Sequence, residues 1–368
     1  MGGGQSQAKR ANYYVLKRIP KTLQKWEDIP AQWSYPNNPE YDYNSWDFNI
    51  WNLDHQQLFT LSFLIIKTNN FHTIFSIRTD TWFNFMCEVQ GLMGSHENPY
   101  HNFHHIMDVF QSCHAFIREF NAKLWLTDIQ LFCMLIACLV HDLEHPGTNN
   151  LYQVNAGTML ALRYNDIAVL ENHHCSRAFE VINTHECNIF ASMTLDQRKA
   201  CRKYIIAMVL ATDMSVHFGL KEEVDQCVNR LQALQKTSDT DSAASTSPIR
   251  IDEKDALSIM KGIVHTADIS NPAKTWSLSK KWSDRVVEEF FAQGDREKKE
   301  FLPVSMNCDR NTTNQDELSI NFTDFIVAPF YFSITKLLPR VMKACRCLED
   351  NRDRWDSMLK QRLQVMER

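Results

Sequence analysis

The chain has 368 residues, 44% of them hydrophobic and 11% aromatic, with a formal net charge of −5. That composition is ample for a large core and carries no general nucleic-acid signal. The longest apolar runs, near Leu131–Val140 and Leu61–Ile66, are too short to span a bilayer. No apolar signal region opens the chain, and eleven cysteines without CxxC pairs fit a reduced, cytosol-facing protein better than a disulfide framework.

Few alternating runs and only ten glycines argue for an all-α fold. The first 25 residues are distinctive. Met1-Gly2-Gly3-Gly4-Gln5-Ser6 fits the N-myristoylation pattern with Gly2 as acceptor. Lys9, Arg10, Lys17, Arg18, Lys21 and Lys25 follow without an acidic residue, the kind of basic patch that supplements one acyl chain at a membrane. A flexible, solvated arm is the plain alternative. A calmodulin-like regulator is a third, because Tyr13, Tyr14, Val15, Leu16, Ile19 and Trp26 interleave the charges, although Pro20 interrupts any long helix. Residues 1–44 thus read as a basic arm and an irregular, proline-containing lead-in.

The helical pattern begins at Ser45 and continues to the end, which predicts one domain over residues 45–368. Asn98-Pro99 reads as an N-cap followed by proline at the first helical position. A helix starting there places His101, His105 and Asp108 on one face. Thr127-Asp128-Ile129-Gln130 is a capping box opening a buried helix through Leu131–Val140. His141-Asp142-Leu143-Glu144-His145 closes that helix, and Pro146-Gly147 stops it. A second capping box, Thr194–Gln197, opens a helix running to Thr212-Asp213. Residues 236–249, rich in Ser and Thr, read as a disordered surface loop within the domain. Further helices are expected from about Asp252 to Asp268, from Ser279 to Gln293 with Gly294 as the stop, over Phe322–Leu338, and from Arg340 into the charged tail.

His101-x-x-x-His105, His141-Asp142, Glu171-Asn172-His173-His174 and His265-Thr266-Ala267-Asp268 each carry metal-competent or acid–base groups. Any one of them alone is more often structural: a buried histidine on a carbonyl, a surface pair, a capping aspartate. Together they supply what a two-metal hydrolase in a helical bundle needs. The glutamate of HExxH is absent, since Asn102-Phe103-His104 intervene, which argues against a zinc peptidase of that type.

In chain order, Tyr100-His101-Asn102-x-x-His105-x-x-Asp108-Val109, His141-Asp142-x-Glu144-His145-Pro146-Gly147, Leu170-Glu171-Asn172-His173-His174, Ala211-Thr212-Asp213-Met214, His265-Thr266-Ala267-Asp268-Ile269-Ser270-Asn271-Pro272, Glu288-Glu289-Phe290-Phe291-x-Gln293-Gly294-Asp295 and Cys308-Asp309-Arg310 together resemble the class I cyclic nucleotide phosphodiesterases. The HDxEH variant, the Asn271–Lys274 run and Cys308-Asp309-Arg310 look closest to the calmodulin-stimulated subfamily. The resemblance implies a compact HD-type helical catalytic domain that hydrolyses cAMP, cGMP or both to the 5′-monophosphate. It implies His105, His141, Asp142 and Asp268 as ligands of a tight Zn²⁺. Asp142 is then shared with a second ion, Mg²⁺ or Mn²⁺, and a hydroxide bridging the two is the nucleophile. His101 becomes the general acid, with Glu171 holding its tautomer, His145 and Thr212 orienting ligands and waters, and Asn150 a candidate contact to metal-bound water. Phe322, Val286 and Phe290 would hold the purine, with Tyr100 and Asn271 beside it. The glutamine that the family uses for the base falls at Ser319 here, which a serine cannot mimic bidentately. Asn321 and Asn314 are candidate substitutes. Ser319 also keeps two alternatives open: a cyclic-nucleotide-binding protein with a drifted pocket, and another HD-type nucleotide phosphohydrolase. A homodimer is compatible with all of these.

Overall fold

The computed structural model describes residues 19–29, 39–94, 96–238 and 251–366. The Gly2 acceptor, the basic arm through residue 18 and residues 239–250 of the Ser/Thr-rich loop lie outside the described residues. The loop's first three positions, 236–238, belong to a helix.

Among the described residues there is no strand, and fifteen α-helices wrap one continuous hydrophobic cluster. They are α1 (His55–Thr68), α2 (Phe71–Ile74), α3 (Thr79–Met93), α4 (Phe103–Arg118), α5 (Asp128–Val140), α6 (Asn150–Asn155), α7 (Met159–Tyr164), α8 (Val169–Ile182), α9 (Leu195–Leu210), α10 (His217–Ser238), α11 (Glu253–Asp268), α12 (Trp276–Lys299), α13 (Gln315–Phe322), α14 (Ala328–Thr335) and α15 (Met342–Met366). Helix α5 is the axis. Every residue from Leu131 to Val140 is buried, and the helix packs against α4, α8, α9 and α11. Its capping box is present, with Thr127 N–H donating to Gln130 Oε1 at 2.9 Å. An element apolar on all faces has no solvent side, so neighbours surround it.

Four boundaries differ from the sequence expectation, each for a local reason. Residues 39–52 make isolated 3₁₀ turns, and the first α-helix waits until Asp54 caps α1. In the lead-in Asp42 Oδ1 accepts from Asn44 N at 3.0 Å and Asn49 Oδ1 accepts from Trp51 N at 3.1 Å, local bonds that compete with helix. Helix α4 starts at Phe103, not at Pro99, because Asn102 is the working N-cap: its Oδ1 accepts from His104 N and His105 N at 3.0 and 3.2 Å. His101 therefore precedes the helix. Gly294 does not end α12, which runs on to Lys299. The expected Phe322–Leu338 helix is broken by one π turn, Thr323–Val327. Pro329 lacks an N–H, so the ladder slips by one residue, with Ala328 N–H bonding Thr323 O. The run Gln315–Thr335 is 21 residues and apolar enough to cross a bilayer, but α13 packs on α15 and α14 on α10 and α11, as core elements do.

Gly294 has a packing role. A Cβ placed there would sit 1.9 Å from the Cys308 carbonyl oxygen, so the loop after α12 lies directly on the helix backbone. Gly294→Ala is expected to destabilise the protein by about 1–3 kcal/mol, as overpacking does, read as a lowered unfolding midpoint in denaturant. An unchanged midpoint would show that the loop yields freely.

Candidate metal centre and adjoining pocket

Helices α4, α5 and α11 converge so that His105 (on α4), His141 and Asp142 (at the C-terminal end of α5) and Asp268 (the last residue of α11) share one point. One donor atom from each lies within 4.8 Å of all the others. His141 Nε2 is 3.1 Å from both Asp142 Oδ2 and Asp268 Oδ1, and His105 Nε2 is 3.2 and 3.3 Å from the same two atoms. His141 Nδ1 donates to Cys138 O at 2.9 Å, which leaves Nε2 as the ligating nitrogen. His105 Nε2 is buried and makes no aligned hydrogen bond. Burial alone would raise both carboxyl pKa values. His141 with His101 at Asp142, and His141 with His105 at Asp268, hold them well below the usual range. Two ionised carboxylates and two imidazoles facing inward form a donor set suited to a divalent cation.

His101 sits beside this cluster in the turn that leads into α4. Asn98 fixes that turn: its Nδ2 donates to His101 O at 3.0 Å and to His145 O at 2.7 Å. The carboxylate that holds the His101 ring is Glu289 of α12, not Glu171. Glu289 Oε1 bonds His101 Nδ1, while Oε2 accepts from Tyr100 N and His101 N at 2.9 and 3.0 Å. Burial opposes protonation of His101, but Glu289 and Asp142 together outweigh it and move the imidazole up to about 9. His145 stacks on His101 with ring centroids 3.8 Å apart, yet burial and the His101 charge hold it well below its ordinary value. Of this stacked pair, His101 is the more basic.

Glu171 faces the same cavity from α8 with a different partner. Asn150 Nδ2 donates to both of its oxygens at 3.1 and 2.9 Å, and Leu170 N donates to Asn150 Oδ1 at 2.9 Å. Asn150 thus braces Glu171. Burial and the nearby Asp213 push the Glu171 carboxyl up to about 7. Thr212 lines the cavity while its hydroxyl donates to Val209 O at 2.8 Å.

Of these groups, His101, Asp142, His145, Asn150, Glu171, Thr212 and Asp268 line one part of a cavity of about 500 Å³, an ordinary volume for a small-molecule site. The other end is lined by Ile269, Asn271, Val286, Phe290, Ser319 and Phe322. All six positions expected to contact substrate (Tyr100, Asn271, Val286, Phe290, Ser319 and Phe322) lie on its wall. Asn271 Nδ2 donates to Tyr100 Oη at 2.5 Å. Neither candidate substitute for a glutamine reaches in. Asn321 is exposed, and Asn314 caps α13 by accepting from Asp316 N and Glu317 N at 2.9 and 3.3 Å. Ser319 Oγ instead lies 3.0 Å from Ser283 Oγ. Glu289, Ser283 and Gln315 are the groups that the sequence reading left without a role. For Glu289 a signal existed: it falls three residues after Val286 and four before Gln293, on the buried face of α12.

A family profile described as 3′5′-cyclic nucleotide phosphodiesterase matches residues 100–348. The chain is 32% identical over 349 residues to the 3′,5′-cyclic-nucleotide phosphodiesterase regA of Dictyostelium discoideum, covering 94% of this chain and 42% of that protein. It is 33% identical over 324 residues to the 3′,5′-cyclic-AMP phosphodiesterase 4C of Mus musculus, covering 85% and 46%. The crystal structure of the phosphodiesterase domain of the RhoPDE fusion protein from the choanoflagellate Salpingoeca rosetta superposes with a TM-score of 0.79 at 27% identity, covering 88% of this chain and 97% of that one. The chain spans about half the length of the curated relatives it matches.

Proposed function

Because the chain belongs to the 3′,5′-cyclic nucleotide phosphodiesterase family, we propose that it hydrolyses the 3′,5′-cyclic phosphodiester of cAMP and cGMP to the 5′-monophosphates. The observation that carries this reading is one cavity that exposes His101, held from behind by Glu289, the Asp142 and Asp268 carboxylates of the four-residue cluster, and an apolar, aromatic slot. In this reading residues 45–368 act as one catalytic domain.

His105, His141, Asp142 and Asp268 would hold the tight ion, Zn²⁺ by its preference for imidazole and carboxylate. Asp142 would be shared with a hydrated Mg²⁺ or Mn²⁺, which takes only one or two carboxylates. When bound, the divalent ions lower the pKa of water and draw charge from the phosphoryl oxygens. The chain's own residues do the rest. Phe322, Val286 and Phe290 hold the purine so that the cyclic phosphate points at the cluster. The P–O3′ bond breaks as the oxygen of a water that has released one proton to solvent bonds to phosphorus. His101, whose Nδ1 is taken by Glu289, gives the proton on Nε2 to the departing O3′. Glu171 faces the cavity beyond the cluster as a polar group, and Asn150 keeps it in position.

The test is hydrolysis of cAMP and cGMP by the purified protein with Mg²⁺, alongside metal analysis. Turnover is expected. Bound metal without turnover of either nucleotide would favour a binding protein or a different nucleotide phosphohydrolase.

The Glu289 contact makes a pH prediction. The acid must be protonated, so this contribution is present below the His101 pKa and lost above it. Glu289 raises that pKa. Glu289→Gln is therefore expected to move the basic limb of the kcat–pH profile down by about 1–2 units, as removal of an adjacent opposite charge does. A basic limb that stays in place would show that another group sets it.

A further inference from the structure

We propose that a hydroxyl relay, Gln315–Ser283–Ser319, reads the purine edge and makes this pocket accept adenine and guanine cyclic nucleotides about equally; the inference rests on the phosphodiesterase reading above. Ser283 projects from α12 and Ser319 from α13, and both line the cavity alongside Phe322. Their Oγ atoms are 3.0 Å apart. Behind them Gln315 Nε2 donates to Ser283 Oγ at 3.1 Å and to Asp284 Oδ1 at 2.6 Å. Asp284 is itself paired with Lys280 at 2.6 Å. Both Gln315 N–H groups are thus spent and their direction is fixed.

The hydrogen count gives the relay its property. Two serine hydroxyls bring two hydrogens and four lone pairs. The mutual bond uses one of each, and Gln315 uses one lone pair of Ser283. One hydrogen remains, and it has two placements. If Ser283 donates to Ser319, the Ser319 hydrogen is free and Ser319 is a donor towards the cavity. If Ser319 donates to Ser283, Ser319 offers only lone pairs and is an acceptor. Rotation of two hydroxyl hydrogens exchanges the two states without moving a heavy atom. Adenine carries an amino donor at its six position, where guanine carries a carbonyl acceptor. Ser319 can meet either.

A site with one fixed donor or acceptor leaves a buried group unpaired when the wrong base enters, and rejects it strongly. This pair presents either role at Ser319, and in the acceptor state the leftover hydrogen sits on Ser283 at the cavity wall. The one other side-chain amide on the cavity wall at the slot end, Asn271, is committed through Nδ2 to Tyr100 Oη.

The experiment compares cAMP, cGMP and purine riboside 3′,5′-cyclic phosphate, which has only hydrogen at the six position, on the full chain with Mg²⁺. The parent is expected to show kcat/KM values for cAMP and cGMP within tenfold of each other. Ser319→Ala is expected to raise KM for both by about fivefold, the loss of one neutral hydrogen bond, with kcat unchanged and the six-hydrogen analogue unaffected. A preference above tenfold in the parent overturns the inference and leaves the phosphodiesterase reading standing. So does Ser319→Ala leaving both KM values alone, or weakening the analogue equally, which would mark a packing role. No turnover of any cyclic nucleotide by the metal-loaded parent would instead defeat the phosphodiesterase reading. Equilibrium binding of cAMP and cGMP to His101→Ala then makes the same comparison without catalysis.

Discussion

Replacing His101 by alanine is expected to lower kcat for cyclic nucleotide hydrolysis by about 10³-fold, the middle of the range for losing a positioned general acid, while bound metal stays at parent stoichiometry. The separation follows from position. His101 lies outside the group formed by His105, His141, Asp142 and Asp268, and its Nδ1 is fixed by Glu289. Its removal leaves those four side chains and their backbone supports in place. Leaving-group protonation is then left to water, so the loss should fall on kcat, with KM within a few-fold of the parent. It should also shrink for a substrate with a more acidic leaving group, since a good leaving group needs no proton. Metal content and kcat measured on one preparation decide the matter. A parallel fall of both would place His101 among the ligands, and an unchanged kcat would remove it from the chemistry.

Asp268→Ala is expected to weaken the tight metal by about 10²-fold or more and to abolish turnover. Loss of a group that merely supports a ligand costs 10–100-fold, and Asp268 is one of the only two carboxylates in the four-residue cluster. Removing it leaves two imidazoles and Asp142, with less charge to offset a dication. The readouts are metal retained after dialysis against a chelator and the rise in unfolding temperature on adding Zn²⁺, which reports binding by mass action. Full retention and an undiminished rise would overturn the ligand assignment. Asp268 ends α11, where Ile269 N–H caps His265 O and Ala267 O. The backbone there does not depend on the carboxylate, so the variant should still fold.

Much of the framework was legible because it depends on local chemistry. The α5 core helix could be read from Thr127, Gln130 and ten consecutive residues without a polar side chain, but it ends at Val140, ahead of the stop expected at Pro146-Gly147. The start of α4 was misplaced because Asn98-Pro99 and Asn102 are both sound caps. Only the fold shows that the Asn98 amide is occupied by His101 O and His145 O. Gly294 looked like a helix stop because the carbonyl that needs its missing side chain belongs to Cys308, in the loop beyond the helix. The partner of His101 was misread for a similar reason. Glu171 and Glu289 are both acids beside apolar neighbours, and the contact that decides between them spans 188 residues. The serine relay could not be read at all, since a hydroxyl has no signature until its neighbour across the pocket is known.

The lead-in before α1 also bears on where the working unit begins. Trp46 is fully buried, and its indole N–H donates to Ala273 O at 2.8 Å, in the turn that follows Asp268. Its ring lies 4.0 Å beneath the Lys274 ammonium, which is itself buried and has no hydrogen-bond partner. A cation over an indole face is stabilised by the ring; with the indole gone, the same cation would sit in a void. The turn carrying Asn271 would lose its anchor at the same time. A fragment trimmed to residues 100–348, the span of the family match, would hold every proposed ligand and still lack the indole that braces the turn between Asp268 and Lys274. The smallest self-sufficient version of this fold therefore starts upstream of Trp46, more than fifty residues before Tyr100, where the family match begins.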